Sequence, residues 1–359
     1  MKLVVCLDGT WNEASTRTNV WKLKQDIDCS AGTDTQATYI EGIGTVKGDE
    51  WISGLVAADF DRPLGLAYRW LTKKILNAPD SEDIKVYLFG FSRGGYLAHT
   101  LSWLLSEVGI PRKFASAIPI AKAYADKDFD AIESLKKDGV IPSPQVVMLG
   151  LWDAVTSPHD RHKGCHDGER APNVKWIYHA MATDERREWY GAMQYGRGER
   201  IVQRWFSGVH KDVGGGYPAN ECELSDVALD WMKRCAVKCG LGFKTPLAER
   251  PRSYDFSSLT KTHNEEEFYD PIKERAFHKG QSFDRSVRDR VKTDRGYFPV
   301  ITGVPAKLLD WLKGRVMSAK QIRRIHEVCP HCTPLYTPLY TLYMIVLTRI
   351  EFQGRWWSI

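Results

Sequence analysis

A chain of 359 residues, 43% hydrophobic and 26% charged, has room for one large α/β domain with insertions or for two smaller domains, and its composition excludes a disordered protein. A formal charge of +5 is small for this length, and no basic run is interleaved with aromatics, so nucleic acid is excluded as the expected partner. Eight cysteines without framework spacing read as free thiols of a reducing compartment rather than as a disulfide scaffold.

The chain runs from Met1-Lys2 straight into Leu3-Val4-Val5-Cys6-Leu7. That run is too short for the apolar region of a signal peptide and is closed by Asp8. The expectation is a protein cytoplasmic in the producing cell, without a cleavable signal, any export using a signal-independent route. Strands are expected over 2–7, 37–41, 85–90 and 145–151, and helices over 63–76, 93–108 and around 129–137. Two further short strands fall at 174–179 and 201–206. This alternation implies an α/β fold with a mostly parallel central sheet and helices on both faces. A helix over 226–239 follows, with Ser225 placed to cap its start and Gly240 to end it.

Beyond residue 244 the character changes. Residues 245–296 are polar, rich in proline and charge, and weakly periodic; they read as a surface insertion or lid-like layer. Residues 305–328 resemble an amphipathic helix pair, with Leu308, Leu309 and Leu312 on one face and Ile322, Ile325 and Val328 spaced similarly. The expected division is a catalytic core over 1–244 and a C-terminal segment, 245–359, packed on it without being clearly independent. Residues 335–350 carry Pro338, three threonines and Arg349, which suits a buried strand better than a membrane span. Trp356-Trp357 read as packing residues, with a membrane interface as the alternative.

Chemistry enters at Gly90-Phe91-Ser92-Arg93-Gly94, a G-x-S-x-G pattern between a strand and a helix whose apolar residues are Leu97, Leu101, Leu104 and Leu105. A serine on such a turn is a nucleophile elbow: small flanking residues allow the tight turn, and the next backbone N–H, that of Arg93, faces the place where an oxyanion forms. The acid and base expected after it are present in the right order. Asp153 follows the strand over 145–151, where it can accept a histidine Nδ1–H. His210 follows the strand over 201–206 in Phe206-Ser207-Gly208-Val209-His210-Lys211-Asp212-Val213-Gly214-Gly215-Gly216, read as a glycine-rich loop that returns the imidazole to the serine. His179 is the rival base. The second oxyanion donor is expected from Gly9 or Thr10 in Asp8-Gly9-Thr10-Trp11-Asn12, with Gly42-Ile43-Gly44-Thr45 as the competing loop.

These residues resemble a known α/β-hydrolase family, long catalogued as a domain of unknown function, that includes the first class of type VI secretion lipase effectors. The matching pieces are Leu7 through Asn12, Tyr39 through Thr45, Gly90 through Gly95, Trp152-Asp153-Ala154-Val155-Thr156-Ser157, His179 through Arg187, Phe206 through Pro218, and Leu224 through Met232. The resemblance covers residues 1–240. It implies a Ser–Asp–His hydrolase with Ser92, Asp153 and His210 in those roles, acting through an acyl-enzyme on lipid esters, phospholipids in particular. It also implies peripheral membrane contact and a secretion or immunity protein as partner. Gly95 stands where the family's elbow commonly has alanine, and residues 245–359 match no membrane or delivery module of the larger effectors. The alternatives are a soluble-ester or peptide hydrolase, an acyltransferase, or a hydrolase fold serving as a binding module.

No cofactor or metal is expected for this chemistry. His162, Cys165 and His166 carry metal-ligand chemistry but read as a charged loop beside the site. Cys329 and Cys332 form one C-x-x-C without the second pair that structural zinc usually needs.

Overall fold

The computed structural model describes residues 1–42, 60–79, 82–156, 166–247, 263, 273–294 and 297–313. Seven strands form one sheet among them: β1 (Lys2–Leu7), β2 (Thr35–Ile40), β3 (Lys85–Phe91), β4 (Gln145–Trp152), β5 (Val174–Ala182), β6 (Ile201–Phe206) and β7 (Ser282–Phe283). The spatial order is β7-β6-β5-β4-β3-β1-β2, and every pairing is parallel. The α/β fold expected from the alternation is therefore present.

A parallel sheet covered on both faces needs apolar side chains on both. Leu3, Val5 and Leu7 of β1 and Val86 and Leu88 of β3 face one layer. That layer holds α2 (Asp61–Leu76), α3 (Arg93–Val108) and α4 (Ala117–Ala125). The alternate residues Val4, Cys6, Tyr87, Phe89 and Phe91 face Val20 and Leu23 of α1 (Asn19–Asp26), and residues of a helix over Glu223–Lys238. Two more short helices are α5 (Phe129–Leu135) and α6 (His210–Gly214); the 223–238 helix is α7.

Several boundaries differ from expectation for local reasons. Helix α2 starts two residues early, because Pro63 falls in the first turn, where an N–H has no intrahelical acceptor. Helix α7 starts at Glu223. Ser225 lies inside it, its hydroxyl donating to the Cys222 carbonyl at 2.7 Å, so it is not the cap. Gly240 does end α7: at φ +87° it donates to Val237 O (2.9 Å) while Leu241 N–H reaches Ala236 O (3.0 Å). Strand β5 runs three residues past His179, which places that histidine within the sheet.

Part of the polar stretch over 245–296 is regular. Strand β7 pairs with β6, and α8 (Arg285–Thr293), capped by Asp284, buries Val287 and Val291. Together with α9 (Ala306–Lys313), whose Leu309 and Leu312 are buried, these residues cover Met181 and Trp205. The second half of the expected helix pair, the 335–350 segment, Trp356-Trp357, and Cys329 and Cys332 lie outside the described residues, as do residues 43–45 of the competing loop. No helix among the described residues is long and apolar enough to cross a membrane.

The chain passes from β1 to β2 on one side and then to β3 on the other side of β1. Parallel α/β sheets bind ligands at such a reversal, beyond the carboxyl ends of the strands. Asp8-Gly9 leaves β1 and Ser92 leaves β3 at that place.

Candidate active site

Ser92 occupies the turn between β3 and α3 with φ 58° and ψ −130°, a conformation that non-glycine residues rarely hold. The backbone is clamped there. Ser92 N–H donates to Trp152 O (3.1 Å), and its own carbonyl accepts from Gly95 N–H (3.0 Å) and Val155 N–H (3.3 Å). The elbow glycines are needed for close approach: a Cβ at Gly90 would stand 2.3 Å from Gly94 O, and one at Gly94 would stand 2.3 Å from Leu7 O. A Cβ at Gly95 would meet the Ala154 side chain at 2.6 Å, which accounts for glycine where alanine is usual.

Asp153 follows β4 and is fully buried, its N–H donating to Ala180 O (2.7 Å). Its carboxylate reaches the ring of His210: Oδ2 lies 2.7 Å from Nδ1. Oδ1 accepts from Ala182 N–H at 2.9 Å. Burial alone would raise the Asp153 pKa. The Arg275 guanidinium, followed by the His210 contact, overrides burial and holds the carboxyl well below the usual carboxylate range. An ionised Asp153 makes His210 Nδ1–H the donor, which leaves Nε2 as the lone-pair nitrogen.

His210 is the first residue of α6, immediately after β6 and Ser207-Gly208-Val209. The expected flexible loop is instead a helical turn. Gly208 (φ +108°) permits its entry, and Asp212 accepts the Val209 N–H at 3.0 Å. A Cβ on Gly214 would stand 1.9 Å from the Phe91 ring, so α6 is pressed against the residue before Ser92. The His210 ring packs on Phe91 (centroids 4.6 Å) and against the edge of Tyr190 (4.9 Å). Its backbone N–H donates to Glu185 Oε2 at 3.3 Å, and Glu185 is gripped by Arg187, whose guanidinium lies 3.6 Å over Tyr190.

His179 is placed differently. It is fully buried, its Nε2 accepts the Ala154 N–H at 3.0 Å, and burial pushes its pKa down to about 4. A neutral ring whose lone pair is already taken supports the backbone beside Asp153 and cannot accept a hydroxyl proton.

The loop after β1 lies against the elbow: a Cβ on Gly9 would stand 2.8 Å from Ser92 Cβ. Gly9 N–H donates to the Asp8 carboxylate (2.8 Å), which also accepts the hydroxyls of Thr18 (2.5 Å) and Tyr39 (2.7 Å). Burial pushes Asp8 up to about 6 despite these donors. Trp11, at φ 58°, is 60% exposed, and Trp189, beside Tyr190, is 37% exposed. His166 pairs with Glu107 (2.9 Å) and stacks on Trp103; His162 and Cys165 lie outside the described residues.

Arg275, Glu185, Arg187 and Tyr190 were not picked out as site residues from sequence. The His179 through Arg187 stretch was legible as a motif, but nothing in it marks Glu185 as the acceptor for the His210 N–H. Arg275 sits in a polar stretch with no motif around it.

The chain resembles known proteins at the level of family, sequence and fold. Residues 1–235 match the model of the family described as T6SS, phospholipase effector Tle1-like, catalytic domain. An uncharacterised protein of Saccharomyces cerevisiae, YEL023C, is 24% identical over 52% of this chain and 31% of its own length. Among solved structures, an uncharacterised protein from Pseudomonas aeruginosa is 16% identical with a TM-score of 0.42, covering 68% of this chain and 47% of that one. A structure of the Tle1 effector bound to the VgrG spike from the type 6 secretion system is 19% identical with a TM-score of 0.37, covering 62% and 52%. The chain thus spans about a third of the curated relative's length and about half of each solved chain.

Proposed function

The chain belongs to the Tle1-like phospholipase effector family of the type VI secretion system, and we propose that it is a serine hydrolase that opens an acyl ester of a phospholipid through an acyl-enzyme. The observation that carries this reading is the buried 2.7 Å contact between Asp153 and His210, on the same end of the sheet as the strained Ser92 turn.

In the proposed reaction Ser92 Oγ attacks the ester carbonyl while His210 Nε2 takes its proton. Asp153 accepts Nδ1–H, fixes that tautomer and stabilises the imidazolium. The oxyanion is held by the backbone N–H of Arg93 and a donor from the Gly9–Thr10 loop. Since Gly9 N–H is committed to Asp8, Thr10 N–H is the donor retained from that loop. His210 then protonates the leaving alcohol, and water attacks the acyl-enzyme by the same route in reverse. No cofactor is part of this scheme.

A phospholipid substrate is supported by family membership and by two exposed tryptophans, Trp11 two residues from Gly9, which abuts Ser92, and Trp189 next to Tyr190, which packs on His210. Indole rings favour the boundary between headgroups and acyl chains. Residues 245–359 are proposed as a layer packed on the core. A secretion spike or an immunity protein is the proposed partner class.

The test is labelling of the folded chain with a fluorophosphonate and mapping of the adduct. Attachment at Ser92, lost in His210→Ala, is the expected result. Folded protein that takes no label would favour a binding module.

A further inference from the structure

We propose that Arg275 is a positioning residue for this triad, so that a segment outside residues 1–235 completes a site whose other members all lie within them. The inference rests on the serine-hydrolase reading and adds a residue that reading does not require.

The geometry is a fork on a carboxylate. Arg275 Nη1 donates to Asp153 Oδ1 at 2.6 Å and Nη2 donates to Oδ2 at 2.9 Å. The same two nitrogens donate outwards to Ala182 O (3.0 Å) and Tyr190 O (2.6 Å). Both side chains are buried. Each oxygen of Asp153 therefore has two donors: Oδ1 takes Ala182 N–H and Nη1, and Oδ2 takes His210 Nδ1–H and Nη2. A bidentate guanidinium sets both the plane and the charge of a carboxylate, which a lysine could do only as a point charge. Without it, Asp153 would be a buried anion answered by one ring N–H and one backbone N–H, an arrangement that burial penalises.

The fork is itself fixed. Residues Arg275–Ala276 pair in parallel with Ile301–Thr302, and the Thr302 hydroxyl donates to Arg275 O at 3.2 Å. Phe277 and Ile301 belong to the apolar cluster that covers Trp205 and Met181. Tyr190, held through its carbonyl, lays its ring edge on His210. Arg275 thus touches both the acid and the wall of the base's pocket without reaching the reacting atoms.

An electrostatic consequence follows. A carboxylate whose charge is answered by Arg275 stabilises the His210 imidazolium less than a bare one would. The other charged and titratable groups around the pair are Glu185 at the His210 backbone, Arg187 on Glu185, neutral His179 behind Ala154, and Asp212 on α6. None of these bonds to the Asp153 carboxylate. Replacing Arg275 by a neutral residue therefore favours protonated His210 and moves the acid limb of the reaction to higher pH.

The experiment is the pH dependence of fluorophosphonate labelling in the full chain and in Arg275→Met and Arg275→Lys. In that reaction Ser92 Oγ bonds to phosphorus, fluoride leaves, and the hydroxyl proton passes to His210. For Arg275→Met the rate at neutral pH should fall on the order of ten- to a hundredfold, short of the roughly 10²–10⁴-fold that a positioned general base contributes. Its acid limb should lie at higher pH than the parent's. Arg275→Lys should lie between it and the parent. A limb that stays in place, with only the labelled fraction reduced, would mean a purely structural role and overturn the inference. If Arg275→Met fails to fold, the limb of Arg275→Lys decides by the same criterion. A parent chain that takes no label at Ser92 removes the hydrolase reading and this inference together; a labelled parent with unmoved limbs removes this inference alone.

Discussion

The Asp153 carboxylate and the His210 ring, 57 residues apart in the chain, meet at 2.7 Å with both side chains withdrawn from solvent. Consecutive strand ends hold them: Ser92 N–H bonds to β4, Asp153 N–H to β5, and Thr183 N–H to β6. The sheet ladder thus continues past the strands into the residues proposed to carry the chemistry. Asp153→Asn keeps the volume, loses the charge, and presents amide hydrogens to Arg275 or His210. Turnover of a soluble ester should fall on the order of 10³–10⁴-fold, as when the orienting acid of a triad is removed. Steady-state kinetics should show the loss in kcat, with KM little changed.

The elbow can be tested by stability. A methyl group at position 94 would stand 2.3 Å from the Leu7 carbonyl oxygen and 2.4 Å from that of Asp8, backbone atoms that cannot swing aside as a side chain can. Gly94→Ala should destabilise the fold by about 1–3 kcal/mol or more through overpacking. Urea denaturation should show a lower midpoint with an unchanged slope; an unchanged midpoint would mean that β1 and the elbow are not packed as described.

Stability should fall as pH rises from 5 to 8. Burial pushes both Asp8 and Asp212 up to about 6 from an ordinary 3.8, so the folded chain holds protons there that the unfolded chain has lost. The His263 pKa is also raised: burial opposes the shift, but Asp212 and Glu221 outweigh it. Its stabilisation is complete below the unfolded value of 6.5 and is lost as pH rises through the folded one. His179 and Asp153 have the opposite sign: His179, pushed down to about 4 from 6.5, stays neutral in the fold and takes back part of the fall below pH 6.5. Asp153 acts at lower pH. Its lowered pKa stabilises the fold above 3.8 and is lost only under stronger acid. Thermal midpoints at constant ionic strength check this, and a midpoint that climbs from pH 5 to 8 would contradict it.

Trp11 separates lipid from soluble substrate. It pairs a strained backbone with an exposed indole, two residues from Gly9, which abuts Ser92. If the ring enters the lipid boundary, Trp11→Ala should weaken vesicle binding about tenfold, the scale expected for an aromatic side chain that no longer leaves water. Hydrolysis of a short soluble ester should be retained. Equal loss on both substrates, in a co-sedimentation assay paired with ester kinetics, would assign Trp11 to the site itself.

What the sequence made legible follows from how local each signal is. Strands β1 and β6 and helix α3 could be bounded to the residue, because apolar runs and the elbow mark their ends within a few positions. Ser92 and Asp153 could be placed because each follows its strand directly. The turn carrying His210 was harder. Its glycines suggest a loop, yet Gly214 is small because Phe91 presses on it, and Gly215 at φ +81° ends a helical turn. Arg275 was not legible, because its partner lies 122 residues away and the two apolar residues that bury α8 stand among charged ones. Ser225 misled as a cap because Cys222 and Glu223, which begin the helix, carry no capping signature.

The most direct test of the central claim is hydrolysis of phospholipid vesicles with mass identification of the products, comparing the full chain with Ser92→Ala. Free fatty acid and lysophospholipid are expected from the parent chain, and only the uncatalysed background from the variant. Equal product from both, or no fatty acid from a folded parent chain that hydrolyses soluble esters, would contradict that claim.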